Sequence, residues 1–250
     1  MLLIDGDVLV YRFAHSEQKT TRWHRDLYTT HALLEPACLH IEDFIAEIKE
    51  ATGQTEIQIV LSDLERNFRK EELPRVSYKA SRAGVIRPLL WKPLRLWMEA
   101  ELGAVWAPRL EGDDLLGLLA EPGVDVIATI DKDLTTVPGL HYNWDRADEG
   151  VLSVTAQEAE RFFLTQVLTG DKTDGYCGVP GVGPVKAARI LDSVFAERDL
   201  WQTVVDTFTK AGLSADVALD TARCAWILRK GDYDFDTGEI TMWTPDRLLT

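Results

Sequence analysis

No run of uninterrupted apolar residues in this chain approaches the roughly 18 that a bilayer-crossing helix needs. The opening MLLIDGD has no basic segment followed by an apolar stretch of signal-peptide length. The chain is therefore expected to start directly on a structural strand, without a leader. Cysteine is scarce: Cys38, Cys177 and Cys224 are odd in number and far apart, which gives neither a disulfide framework nor a metal knuckle. A reducing cytoplasm is the expected location. The histidines (His15, His24, His31, His40 and His141) show no metal-ligand spacing and read as structural or surface groups. Internal repeats and low-complexity tracts are also missing. What remains is a 250-residue chain with 46% apolar residues, enough for one large domain or a domain with a helical appendix.

The formal net charge is −14, which taken alone speaks against a polyanionic partner. Its distribution reverses that impression. Arg66, Arg69, Lys70, Arg75, Lys79, Arg82, Arg87, Lys92 and Arg95 face only Glu71 and Glu72, a local +7 that leaves −21 for the rest. A chain polarised in this way can repel polyanions overall and still grip one along a single face. A solvated basic helix is the plainer reading of such a run.

Short apolar runs alternate with amphipathic segments over the first part, the pattern of an α/β fold with a mainly parallel central sheet flanked by helices. Strands are expected at 1–4, 56–61, 104–107, 124–130, 140–144 and 151–154. Helices are expected at 33–50, 89–102 and 113–120. From Thr155 the pattern turns helical. Thr155 and Glu158 form a capping box for a helix through Leu168, and helices follow at 184–191, 199–210 and 215–229. Residues 233–243 read as a terminal hairpin turning at Asp236–Thr237–Gly238. The organisation is a core over 1–154, with a short basic arch near 64–95, and a helical part over 155–250.

Asp5, Asp63 and Asp131 each sit at or near the C-terminal end of an apolar strand, and those ends share one edge of a parallel sheet. Further acids stand at expected helix starts: Glu111, Asp113 and Asp114 in LEGDD, Asp133 in TIDKD, and Asp171 and Asp174 in TGDKTDGY. Nine carboxylates on one rim need cations to hold them together. Oxygen ligands without Cys or His select Mg²⁺ or Mn²⁺ over Zn²⁺. Any single pair, such as Asp113–Asp114, could equally serve as a helix cap. Asp7 reads as a solvated acid in the first turn.

Gly178, Gly181 and Gly183 form a loop ahead of Pro184 and a helix carrying Lys186 and Arg189. Exposed amides at such a loop and helix start suit a phosphate backbone. With the preceding helix they make a helix–loop–helix unit of the kind that holds duplex DNA without reading its sequence. The alternative is a glycine-rich turn between packed helices.

Taken together, LLIDGDVLVYRF, SYKASR, LEGDDLLG, IDKDL, LTGDKTDGY, GVPGVGP and the tail from KAGL through AWILR to TMWTP resemble the flap-endonuclease family of 5′-nucleases. The likeness is greatest to the 5′→3′ exonucleases of T-odd-type phages, and it covers nearly the whole chain. It implies a PIN-like nuclease core and a helix–three-turn–helix element at about 156–192. It implies metal ligation by Asp5 and Asp63 with the acids of LEGDD and IDKD, completed by Asp171 and Asp174. It implies that Lys79 contacts the scissile phosphate with support from Arg82, and it implies two or more Mg²⁺ or Mn²⁺ ions with a monovalent cation at the glycine loop. The partner would be DNA with 5′ ends, whether duplex, nicked or flapped. The segment from Asp63 to Leu89 is short for a threading arch, which favours exonuclease action on duplex ends.

The expected chemistry is phosphodiester hydrolysis with two cations about 4 Å apart. Asp5, Glu111, Asp113 and Asp131 would surround one, and Asp114, Asp133, Asp171 and Asp174 the other. Lys79 and Arg82 would stabilise phosphate charge, and Tyr78 would stack on a terminal base or pack inside. Two other readings stand beside this one. A haloacid-dehalogenase-type phosphatase would use Asp5–Gly6–Asp7 but leaves LEGDD, SYKASR and the glycine loop without a role. A non-catalytic DNA-binding accessory protein would not need the complete acidic set.

Overall fold

The strand Leu2–Asp5 (β1) is buried along its whole length because it lies mid-sheet with helices on both faces. The computed structural model describes residues 1–82, 84–194 and 200–249. After β1 come α1 (Gly6–Ser16), a two-stranded hairpin of β2 (Lys19–His24) and β3 (Leu27–His31), α2 (Leu34–Thr52) and β4 (Ile57–Val60). A short α3 (Phe68–Glu72), α4 (Trp91–Glu101), α5 (Gly112–Leu119), β5 (Val126–Ala128), β6 (Gly139–Tyr142) and β7 (Val151–Val154) complete the α/β part. The remainder comprises α6 (Ala156–Thr169), the two-residue strands β8 (Gly170–Asp171) and β9 (Tyr176–Cys177), α7 (Pro184–Asp192), α8 (Leu200–Lys210) and α9 (Ala215–Ala225).

The central sheet runs β4-β1-β5-β6-β7. All neighbours are parallel except β6 and β7. The period of two in its strands sorts the core into two layers. Leu2, Ile4, Ile59, Val126 and Ala128 face a cluster with Leu9, Ile41 and Leu94, from α1, α2 and α4. Leu3, Val60 and Ile127 face the opposite way, into a cluster that runs through Leu115 and Phe163 to Phe208 and Trp243. The second cluster therefore joins one face of the sheet to the C-terminal helices. No described helix is long and apolar enough to cross a membrane.

Most expected elements appear within a few residues of their expected bounds, and the differences have physical causes. The run at 104–107 contributes only an isolated parallel bridge from Val105 to Val60. Residues 233–243 make one bridge, Tyr233 to Ile240. The helix expected at 215–229 stops at Ala225, because the carbonyls of Cys224 and Trp226 turn to accept the Arg69 guanidinium. The β2–β3 hairpin was not expected at all. Asp199, at the start of another expected helix, lies outside the described residues.

Gly117 on α5 is where that redirected chain crosses: a Cβ there would overlap the Leu228 carbonyl and press on Ile227 and Val137. Gly117→Ala should destabilise the fold by about 1–3 kcal/mol, as overpacking does. Urea unfolding checks this, and an unchanged midpoint would show that the crossing is not tight.

Candidate active site

Because β1, β4 and β5 are parallel, their C-terminal ends open on one edge. A cleft of about 970 Å³ lies there, lined by Asp5, Asp63, Glu111, Asp113, Asp131, Asp133, Asp171 and Asp174. Eight of the nine expected carboxylates thus share one cavity, from five stretches of chain. Asp5 caps α1: one oxygen accepts the Val8 amide at 3.1 Å and the other the Thr129 hydroxyl at 2.8 Å. Asp131 accepts the Asp133 amide at 2.9 Å, and Asp133 accepts Gln166 Nε2 at 2.6 Å. Asp171 holds its turn by accepting the amides of Thr173 and Asp174.

Asp114 is the ninth, and it is turned away from the cleft. It is fully buried, and its two oxygens accept Arg69 at 2.6 and 2.7 Å. The Leu228 amide adds a further donor at 3.2 Å. Its expected place beside a metal is therefore corrected: an acid at the third helical position points back under the helix start, where Arg69 meets it. Asp63 lines the cleft, but its oxygens accept the amides of Glu65 and Arg109 at 2.8 Å each, so it shapes the loop after β4. Asp7 is no solvated acid. It pairs with the buried Arg95 and accepts the Ser62 hydroxyl at 2.5 Å.

The charges in the cleft are unevenly balanced. Burial, then repulsion from Asp7, raises the Asp5 pKa to about 7. Burial, then Asp5 and Asp131, pushes Asp113 well above the usual carboxylate range, and among the described residues no donor bonds to its side chain. Burial, then Asp131, raises Asp133 to about 6. Glu111 goes the other way: burial alone would raise it, but Lys79 and Arg69 outweigh burial and bring it to about 2.

Lys79 and Arg82 enter this cleft from the basic segment. Lys79 Nζ lies 2.5 Å from Glu111 Oε1 and 3.3 Å from Asp174 Oδ2, and Arg82 is 2.7 Å from Asp174 Oδ1. No three acids among the described residues form a ready-made ligand cage, and Lys79 and Arg82 stand between Glu111 and Asp174. Tyr78 is only 5% exposed. Its hydroxyl donates to Glu111 at 2.7 Å, so its ring is covered and cannot stack on a base.

The glycine loop lies outside the cleft. Gly181, Gly183, Lys186 and Arg189 are exposed. Gly178 differs: the backbones of Leu168 and Gly170 leave no room for a Cβ, so it serves strand β9's return past α6. Arg69 is the residue that sequence reasoning missed. It was counted only as one charge in a basic run, and a five-residue helix carries too little periodicity to show which side chain turns inward.

No family model matches the chain. It is 28% identical over 284 aligned positions to an exonuclease of Escherichia phage T7, and 27% identical over 283 to an exodeoxyribonuclease of Enterobacteria phage T3. Each alignment covers 98% of this chain and 93% of the relative. A flap endonuclease of Shewanella baltica is 24% identical, with 70% of this chain and 71% of that protein covered. Among solved structures, a zinc-bound 5′-exonuclease of phage T5 superposes with a TM-score of 0.60 at 16% identity, over 90% of this chain and 88% of that one. A T5 flap endonuclease complexed with DNA and metal ions gives 0.63 at 14%, over 88% and 86%. These superpositions establish a shared α/β fold.

Two predictions follow from the electrostatics. Arg69→Met leaves Asp114 buried without its counter-charge and should cost about 3–5 kcal/mol. Adding Asp114→Leu should recover part of that loss in urea unfolding; no recovery would mean the pair is not the cause. Asp5 and Asp133 bind protons more tightly folded than unfolded, so their contribution is fully present below pH 3.8 and lost as pH rises through about 6 to 7. In chelator, the melting temperature should fall between pH 5 and 7.5, and Asp5→Asn should flatten that fall. A slope identical in wild type and variant would contradict the assignment.

Proposed function

We infer, from a chain that resembles the 5′-nuclease family of phage exonucleases and flap endonucleases along nearly its whole length, that it is a metal-dependent 5′→3′ exonuclease acting on DNA. The observation that carries this reading is the gathering of carboxylates from distant stretches in one cleft with Lys79 and Arg82 at its side. The donor set fits a hard divalent cation. All candidate ligands are carboxylates, Asp113 has no donor among the described residues, and burial plus mutual repulsion makes Asp5, Asp113 and Asp133 reluctant to ionise until a cation neutralises them. Mg²⁺ or Mn²⁺ suits such oxygens.

In this proposal Asp5, Glu111, Asp113 and Asp131 hold one ion, while Asp133, Asp171 and Asp174 flank a second, some through water. Bound there, the ions would supply an acidified water and neutralise the leaving oxygen. The chain's own groups do the positioning. Arg69 and Tyr78 hold Glu111 in orientation through its Oε2. Lys79 and Arg82, which neutralise Glu111 and Asp174 here, would turn to the phosphate of an arriving strand. The exposed Gly181, Gly183, Lys186 and Arg189 would hold the duplex backbone beyond the cut, with a monovalent cation at the loop as an additional bridge. The α/β part over 1–154 thus carries the chemistry and 155–250 the duplex grip, with the helix–three-turn–helix element at about 156–192. Exonuclease action is favoured over flap cutting because the described residues of 64–90 hold only α3 and one 3-10 turn at Ala80–Arg82, too little for a long threading arch.

The test uses 5′-labelled DNA with blunt, recessed, nicked and flapped ends, with and without Mg²⁺. Release of 5′ nucleotides should require the ion. Asp113→Ala should slow it by at least about a thousandfold, the several kcal/mol that a metal's charge supplies, while DNA binding stays measurable. Turnover retained in chelator, or by Asp113→Ala, would refute the reading.

A further inference from the structure

Every residue of β2 and β3 is exposed, so the hairpin stands clear of the core on both faces. Two bare strands are at best marginal in water, and these carry aromatic rings where a solvated hairpin would carry polar groups. Trp23 is 67% exposed and Tyr28 52%. The Trp23 indole N–H donates to the Thr29 hydroxyl at 2.9 Å, which holds the ring across the strand pair with its face open. On the opposite face the Arg22 guanidinium lies 5.6 Å from the Tyr28 ring, its cross-strand partner in register. Lys19, Arg22 and Arg25 are opposed only by Asp26, in a chain of net −14.

The hairpin's root also borders the basic segment. Gln18 Oε1 accepts the Leu89 amide at 2.9 Å, and Arg87, two residues earlier, lines the carboxylate cleft.

We propose that the β2–β3 hairpin is a stacking platform for unpaired DNA outside the cleft. Trp23 takes the face of a base, and Lys19, Arg22 and Arg25 supply the positive charge that draws the strand's phosphates to the hairpin. This rests on the reading of the cleft as a DNA-cleaving site. Rigid aromatic faces beside cations are the chemistry of sequence-tolerant single-strand binding. A protein partner would call for one contiguous apolar face, whereas Trp23 and Tyr28 lie on opposite faces.

The experiment measures fluorescence anisotropy in chelator with a labelled blunt duplex and the same duplex carrying a single-stranded tail of roughly ten thymidines. Wild type should bind the tailed duplex more tightly. Trp23→Ala with Tyr28→Ala should weaken tailed binding on the order of tenfold and blunt binding much less, while Trp23→Phe keeps most of the preference. Arg22→Ala with Arg25→Ala should flatten the salt dependence of tailed binding. The substituted side chains are exposed, so an unchanged melting temperature verifies that each variant folds. Equal weakening of tailed and blunt DNA, or none, overturns the proposal. So does a change in sedimentation with DNA affinity intact, which would make the hairpin a contact between copies. A wild type that fails to cleave with Mg²⁺ yet loses its tail preference in the variants would remove the nuclease reading and leave the hairpin's role standing.

Discussion

Carboxylates that repel one another sit together at the end of a parallel sheet, and the buried Arg69 guanidinium is the group that compensates those beneath the start of α5. It bonds to both oxygens of Asp114, one of Glu111, and the carbonyls of Cys224 and Trp226. A charge so deeply placed is acceptable only when nearly all its donors are met. Meeting them draws together three parts of the chain: α3, the start of α5, and the segment after α9. That segment leaves helical geometry to present its carbonyls, which brings Leu228 against Gly117. The end of α9, the smallness of residue 117 and the orientation of Glu111 are three consequences of one ion pair.

The same interaction divides the LEGDD acids by task. Asp114 is spent on holding the fold. Glu111 shares Arg69 but keeps its other oxygen for Lys79, and Asp113 is repelled by Asp5 and Asp131 more than Lys79 offsets. A gradient results, from fully compensated charge beneath the helix start to uncompensated charge at the cleft. The uncompensated end has the most to gain from a divalent ion, whereas Glu111, already met by Arg69 and Lys79, would exchange one partner for another.

Much of this was legible in the sequence, for a clear reason. Strand ends and helix starts are local features, and an acid at each of several such points in a parallel fold must reach the same edge; Asp5, Glu111, Asp113 and Asp131 could be grouped on that ground alone. The capping box at Thr155 and the proline start at Pro184 were equally local. What stayed hidden depended on contacts between distant residues. Arg69 and Asp114 are 45 residues apart, and neither's burial shows in its neighbours' periodicity. Asp63 lies three residues past the end of β4, whereas Asp5 ends β1, and its oxygens go to the Glu65 and Arg109 amides because the loop after β4 folds back on it. For Tyr78 the sequence left stacking on a base and interior packing both open, and the contact that decides for packing is with Glu111, 33 residues away. The β2–β3 hairpin escaped notice because all its residues are exposed, so no alternation of buried and solvated positions marks its strands.

The backbone at Lys79 links the cleft's two halves. Its φ of 50° places a long side chain in the left-handed region, which costs energy for any residue with a Cβ. The conformation is held from outside: the Lys79 amide donates to the Asp174 carbonyl at 2.7 Å, while its Nζ reaches Glu111 and the Asp174 carboxylate. Burial alone would lower the ammonium's pKa, but Glu111 and Asp174 outweigh burial and raise it above the usual lysine value. Lys79 is thus pinned through its backbone to the α6–β9 connection and through its charge to the start of α5. A strand displacing the ammonium from Glu111 would leave the amide contact in place, so the side chain could turn to a phosphate without the segment losing its position. Strain in the backbone and mobility in the charge are in this way separated within one residue, an arrangement that suits the phosphate-binding role proposed for Lys79.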